Sequence, residues 1–188
     1  MLRINPSFLI YIENLYQSQN RKEGIMLRRY APKQRMISQG ENFNKVLLIK
    51  EGITKCFFAE ENGKTFILEF LSKGEIVGEI EAVRKISALC NIEAITEVHA
   101  YALSVVYFKE LLDRDLKFNQ LLIDTFAQRI TNTSSRASFQ QLYTVEYSLA
   151  KLLQLIAEQQ LNLSKEDMAA YLGINIRSLN RALKNHYE

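Results

Sequence analysis

The sequence is poor in the residues that build inorganic and redox centres. Its 188 residues include two histidines, two cysteines, two prolines, seven glycines and no tryptophan. His99 and His186 are too few for a zinc or iron centre of the usual kind. Cys56 and Cys90 lie far apart in the chain without metal-ligand spacing, so they cannot supply a four-thiolate iron–sulfur cluster. In a reducing compartment both are expected as thiols. No Cys or His is close in sequence to activate Cys90, so it reads as a structural thiol rather than a redox switch, although Arg84 and Lys85 are candidates for neighbours in space. A metal enzyme on a cupin-like barrel would need a histidine cluster that is missing, so no enzymatic activity, metal or cofactor is expected.

Long apolar runs are also absent. None approaches the ~20 residues of a membrane-spanning helix. The partly apolar start, "MLRINPSFLIYIENLYQ", is interrupted by Glu13 and is followed by no small-residue cleavage site, so a cytoplasmic protein is expected. Charge of one sign does not dominate: the formal net charge is +3. Its distribution says more. Arg21, Lys22, Arg28, Arg29, Lys33 and Arg35 cluster early and read as a solvated face, and Arg177, Arg181 and Lys184 cluster late.

What is present falls into two halves. After a helical stretch from about Pro6 to Gln17, short runs rich in β-branched and aromatic residues follow: "VLLIKEG", "TKCFFAE", "KTFILEFL" and "HAYALSVVYF". Gly40, Gly52, Gly63, Gly74 and Gly78 punctuate them, as expected for an all-β roll. Asn62-Gly63 predicts a hairpin between "TKCFFAE" and "KTFILEFL" through a type I′ turn.

From Lys109 onward the β signal vanishes. Leu111 to Leu142 contains neither Gly nor Pro. Phe118, Leu122, Phe126 and Ile130 recur every four residues and Leu121 widens the stripe, which predicts one long helix with a break allowed near Asp113 to Asp115. About 25 helical residues span about 37 Å, more than a small roll covers, so the stripe is expected to pair with a twin in a homodimer. The alternative is that the roll itself covers the stripe. "TNTSSRAS", Thr131 to Ser138, is made of poor helix formers and suits a close helix approach, a hinge or an exposed face without a role.

The chain ends on a more specific pattern. Leu149, Leu152, Leu153 and Ile156 form a helical stripe. Ser164 then caps a new helix, with Asp167 three residues on. Met168, Ala169 and Leu172 face inward, Gly173 supplies a left-handed turn, Ile174 fills the angle and Asn175 caps a second helix. Leu179, Ala182 and Leu183 face back to the core, which leaves Arg177, Ser178, Asn180, Arg181 and Lys184 outside. This is the geometry of a helix-turn-helix reading head. Arg offers a bidentate fork to guanine and Asn offers one to adenine.

A β-roll, a long helix and a terminal helix-turn-helix in that order resemble the Crp/Fnr family of bacterial transcription regulators. "LSKEDMAAYLGINIRSLNRAL" is similar to its DNA-binding signature, "GEIVGEIEAV" to the opening of its phosphate-binding cassette, and "ISQGENFNKVLLIKEG" to its strand-and-glycine pattern. The fold class implied is α+β: an N-terminal double-stranded β-helix, or jelly-roll-like β-roll (1–108), a long dimerisation helix (109–143) and a C-terminal helix-turn-helix domain (144–188). The resemblance implies double-stranded DNA, a second copy of the chain, a small-molecule effector and RNA polymerase as partners, and no membrane. Arg177, Ser178 and Arg181 match family positions that contact DNA, whereas Ile176 departs from the polar residue common there. Relatives continue into a β-hairpin wing, so a head ending at Glu188 is expected to bind DNA weakly and with strong salt dependence.

The effector pocket implied by the resemblance comprises Gly78, Glu79, Arg84, Leu89 and Cys90. Members that bind cyclic nucleotides grip the phosphate with an Arg-Ser or Arg-Thr pair. Here Ala88, Leu89 and Cys90 stand near that point, and Arg84 and Ser87 are out of register. Without a guanidinium partner a phosphate in an apolar pocket is costly, so cyclic AMP is not expected as the effector. Glu79 reads as a structural acceptor or a ribose-type contact. The competing reading of the whole chain is an effector-binding or protein-interaction module that has lost DNA binding.

Overall fold

The short apolar runs form strands, and the computed structural model describes residues 2–18, 24–42 and 44–187. Arg21 and Lys22 lie outside the described residues; Arg28, Arg29, Lys33 and Arg35 form an exposed face, with Arg29 paired to Glu97 and Arg35 to Glu93. Strand β1 (Leu2–Arg3) and helix α1 (Pro6–Ser18) precede the roll. The roll comprises β2 (Ile25–Tyr30), β3 (Arg35–Ile37), β4 (Lys45–Glu51), β5 (Thr54–Ala59), β6 (Thr65–Leu71), β7 (Ile76–Val77), the short helix α2 (Glu79–Arg84), β8 (Asn91–Ala94) and β9 (Val98–Ser104). One sheet runs β1-β6-β5-β8-β3 and the other β2-β9-β4-β7. Only the β1–β6 pair is parallel among these ladders.

The unbroken apolar run of β4 has a cause in this layering. Leu47 and Ile49 point into the roll, and Val46 and Leu48 point out beneath the helices, so both faces are buried. The β5–β6 hairpin forms as expected, but its turn differs. The Gly63 N–H donates to the Glu60 carbonyl and the Glu60 N–H to the Lys64 carbonyl, and only Gly63 (φ 76°) is left-handed. This is a three-residue loop closed by a glycine bulge rather than a type I′ turn, because Asn62 keeps a negative φ. At Gly74 (φ 83°) a Cβ would lie 1.8 Å from the Asn5 carbonyl oxygen, so α1's entry loop closes on the sheet only over a glycine.

Helix α3 (Val105–Arg114) begins where Ser104 caps it, and Asp115 ends it and starts α4 (Leu116–Leu142). The break falls where the sequence allowed one. Asp115 accepts the Phe118 N–H at 2.9 Å and the Tyr11 hydroxyl on its other oxygen, which ties the break to α1. Thr144 caps α5 (Val145–Gln159), and α6 (Lys165–Leu172) and α7 (Ile176–Tyr187) complete the chain.

The α4 stripe does not have the role expected of it. Phe118, Leu121 and Leu122 are buried against the roll and α1, with Phe126 packed beside them. The Phe118 ring meets Phe8 and Phe108 edge-on at 5.5 and 5.6 Å. Ile130 alone of the five stands clear, 67% exposed. The expectation of a dimer seam at Phe118, Leu121, Leu122 and Phe126 is therefore corrected. Helical period reveals an apolar face but not which partner covers it, and α1 and α3 supplied the missing cover. Leu122→Glu is expected to cost at least about 3 kcal/mol by placing a charge in this core, measured by urea unfolding. A Leu122→Glu protein that is a folded monomer of undiminished stability would return the stripe to an interface role.

Candidate effector cavity and nucleic-acid interface

Gly78 (φ 85°) turns the chain from β7 into α2 and places Glu79 inside the roll, 1% exposed. A carboxylate that deep needs a cation. Arg129 on α4 supplies it: one guanidinium nitrogen donates to Glu79 and another to the Ile76 carbonyl at 2.9 Å. The same guanidinium lies 3.6 Å from Glu75 and 3.9 Å from Glu69. Arg3 meets Glu69 at 2.9 Å and Glu75 at 3.0 Å from the other side. Three carboxylates thus share two guanidinium groups. Burial raises the pKa of Glu79, partly offset by Arg129, and raises that of Glu75, partly offset by Arg3 and Arg129. Burial opposes the charge of Arg129, but Glu79, Glu69 and Glu75 together outweigh it and raise its pKa.

The cavity beside this cluster measures about 100 Å³. Gly78, Glu79, Leu89 and Cys90 line it as expected, joined by Cys56, Glu69, Glu81 and Arg129. Glu81 accepts the Leu89 N–H at 3.0 Å. Arg84 is not there. It is exposed at the end of α2, on a separate open groove with Val83, Phe126 and Ile130, because the helix turns its side chain away from the roll. Cys90 is not isolated either: its sulfur lies 2.9 Å from that of Cys56. The strand pairing brings together two thiols that the sequence separates. Sequence reasoning missed Arg129, yet a signal existed. Continuing the buried face of Phe118, Leu122 and Thr125 by helical spacing leads to Arg129 and then Arg136.

The reading head is built as its sequence indicates. Ser164 accepts the Asp167 N–H at 3.1 Å, Gly173 is left-handed at φ 69°, and Asn175 accepts the Ser178 N–H at 2.8 Å. Met168, Ala169, Leu179 and Ala182 form its core with Leu149 and Leu152 of α5. Arg177, Asn180, Arg181 and Lys184 are exposed along α7 and Ser178 is half-buried. Lys165 donates to Asn180 at 3.2 Å. Ile176 is 41% exposed at the same end.

The head is also docked on the roll. Ala170 packs among Phe57, Ile67 and Phe70, and Tyr171 stacks on Phe70 with ring centres 5.1 Å apart. The Asp167 side chain bonds Lys55 of β5 at 2.7 Å instead of reaching back to its own helix start. Arg136 of α4 donates to the carbonyls of Leu68, Ile67 (2.9 Å) and Tyr171 (2.6 Å) and lies over the Tyr171 ring.

The architecture is a roll with a short cassette helix, joined by a long helix to a docked helix-turn-helix head. Residues 27–115 match the family model described as "Cyclic nucleotide-binding domain". The chain is 23% identical over 171 residues to the cAMP-activated global transcriptional regulator CRP of Salmonella typhimurium, covering 84% of this chain and 80% of that protein. Its fold is similar to the c-di-GMP responsive regulator CLP of Xanthomonas campestris, with TM-score 0.80, 16% identity and coverage of 93% and 89% of the two chains. A Crp/Fnr-family regulator of Eubacterium rectale gives TM-score 0.75 at 14% identity, with 91% and 85% covered. The chain is thus similar in sequence and in fold to transcription regulators of the Crp/Fnr kind.

The ion cluster generates a prediction. Arg129→Ala strands Glu79 and leaves Glu69 and Glu75 to share Arg3, and is expected to cost about 3–5 kcal/mol at pH 7.5. Carboxyls with raised pKa values favour the folded state while protonated. That contribution is present below the ordinary carboxylate range and is lost as pH rises through the raised values. The deficit of the variant should therefore shrink toward pH 5, read from urea midpoints at both pH values. An equal deficit at both would contradict the assignment.

Proposed function

We propose that this chain is a cytoplasmic, homodimeric transcription regulator that reads double-stranded DNA with α7. The observation that carries the reading is the division of α7. Leu179 and Ala182 are buried in the head, while Arg177, Asn180, Arg181 and Lys184 stand exposed along one helix of a capped helix-turn-helix. Arg177 and Arg181 suit guanine, Asn180 suits adenine on leaving Lys165, and Ile176 suits a thymine methyl. RNA polymerase and a small effector are further partners in this reading. Selection from a random duplex library followed by binding titrations tests it. Arg181→Ala should cost about 1–3 kcal/mol at the preferred duplex and relax specificity there. Affinity should fall steeply with salt. Failure to enrich any duplex would favour an interaction module without DNA binding.

The partner copy in this reading docks on the outer face of α4. Ile123 and Ile130 are 66% and 67% exposed, and Ala127 and Ser134 fall between and beyond them at alternating spacings of four and three. Continuity with the open groove at Val83 and Arg84 supports a second copy there, since CRP relatives dimerise. Ile123→Glu with Ile130→Glu should give folded monomers by light scattering, and a persistent dimer would place the interface elsewhere.

The effector in this reading is not a cyclic nucleotide. A cavity of about 100 Å³ is small beside the ~300–1,000 Å³ of ordinary ligand sites. Carboxylates line it, and its one lining guanidinium is engaged by Glu79. Calorimetry with cyclic AMP, cyclic GMP and cyclic di-GMP should register no binding at micromolar concentrations; micromolar affinity for any of them would overturn this.

A further inference from the structure

The cavity of about 100 Å³ contains a pair of thiols in contact. Cys56 sits on β5, in the interior of its sheet, between β6 and β8. It is registered opposite Ile92 of β8, and Cys90 lies in the bend that leads into β8, two residues before Ile92. The two sulfurs are 2.9 Å apart, and a disulfide requires about 2.05 Å. Closing the bond needs less than an ångström of side-chain movement. Sheet pairing on both sides of Cys56 holds the arrangement in place.

The two thiols are not equivalent. Cys56 is 5% exposed, and its contact with Cys90 and its burial push its pKa well up, so it is a poor first nucleophile. Cys90 is half-buried beside Leu89, which is 45% exposed at the cavity wall. A solvent-borne oxidant therefore meets Cys90 first. The oxidant must be small to enter about 100 Å³, and an uncharged one avoids repulsion from Glu69, Glu79 and Glu81. Hydrogen peroxide meets both requirements.

We propose that Cys90 and Cys56 are a peroxide-oxidisable dithiol and the signal input of this effector domain. The Cys90 thiolate attacks one peroxide oxygen, the O–O bond breaks, and hydroxide leaves to give a Cys90 sulfenic acid. The Cys56 sulfur then attacks the Cys90 sulfur. The S–O bond breaks, the departing hydroxide takes the Cys56 proton, and water and a disulfide result. Overall two thiols lose two electrons and two protons, and one peroxide becomes two waters. A dithiol reductant reverses the oxidation by exchange. The cross-strand neighbour of Cys56 in the β5–β6 ladder is Glu69, which pairs with Arg3 and approaches Arg129 of α4. A change at the sulfurs thus reaches the charge cluster that joins roll to long helix.

The signalling role rests on the DNA-binding function proposed above, whereas the chemistry does not. The full chain, reduced and desalted, is treated with hydrogen peroxide, acid-quenched, alkylated and weighed. The expected result is a loss of about 2 Da with both thiols protected, one cross-linked peptide joining Cys56 to Cys90, and full reversal by dithiothreitol. Cys56→Ser should accumulate a sulfenic acid at Cys90 that dimedone traps, and Cys90→Ser should leave Cys56 unmodified. Unchanged mass, direct over-oxidation to sulfinic acid, or only intermolecular Cys90 cross-links in the wild-type chain would overturn the chemistry, whether or not the variants fold. Titrations of the selected duplex with reduced and oxidised protein then read the coupling. At least a threefold difference in affinity supports the signalling role, and equal affinities overturn it. Absence of DNA binding by both forms overturns the regulator reading and the signalling role together, while the mass result alone decides the chemistry.

Discussion

Arg129 is the constraint on which the arrangement depends. Its guanidinium, on the long helix, is the cation that lets Glu79 stay buried at the start of the cassette helix. Burying an ion pair is rarely a net gain over apolar packing, but removing one partner from it is severe. The cluster therefore specifies more than it stabilises. Glu79 reaches its charged partner only when α4 lies against the roll in one register, and Arg3 fixes β1 to the same carboxylates. The strand edge, the cassette and the long helix are locked to a common point.

That lock also sets the chemistry of the cavity lining. In a cyclic-nucleotide site, a guanidinium from the roll would meet the ligand's phosphate and a carboxylate would meet its ribose. Here the guanidinium comes from α4 and is spent on the carboxylate itself. The interior is polar and its charges face one another, beside a cavity of about 100 Å³. The domain matches the family model described as "Cyclic nucleotide-binding domain", while its interior chemistry is that of charges and thiols.

Much of the fold was legible because its determinants are local. Ser164, Gly173 and Asn175 announce the head through caps and a left-handed turn, which a few neighbouring residues decide. The Asn62-Gly63 hairpin was legible for the same reason, although the turn type was not, since either of two loops places Gly63 at positive φ. The α4 stripe was legible as a stripe, but its cover came from the roll, from α3 and from α1, the last more than 90 residues away in the chain. The site was hardest to read. Cys56 and Cys90, or Glu79 and Arg129, meet only through strand order and helix docking, and no local pattern encodes either meeting. Arg129 and Arg136 break an apolar face at its own period, and that interruption is the trace the sequence does carry.

Arg136 holds the head to the roll through the carbonyl oxygens of Ile67, Leu68 and Tyr171. Every amino acid has a carbonyl. The hydrogen-bonded part of this joint is therefore indifferent to which side chains occupy 67, 68 and 171, and over evolutionary time those positions can drift without loosening it. Paired substitutions, the usual trace of a contact between two positions, would not mark it. Among homologues this hydrogen-bonded part of the joint would register only as the persistence of a single arginine.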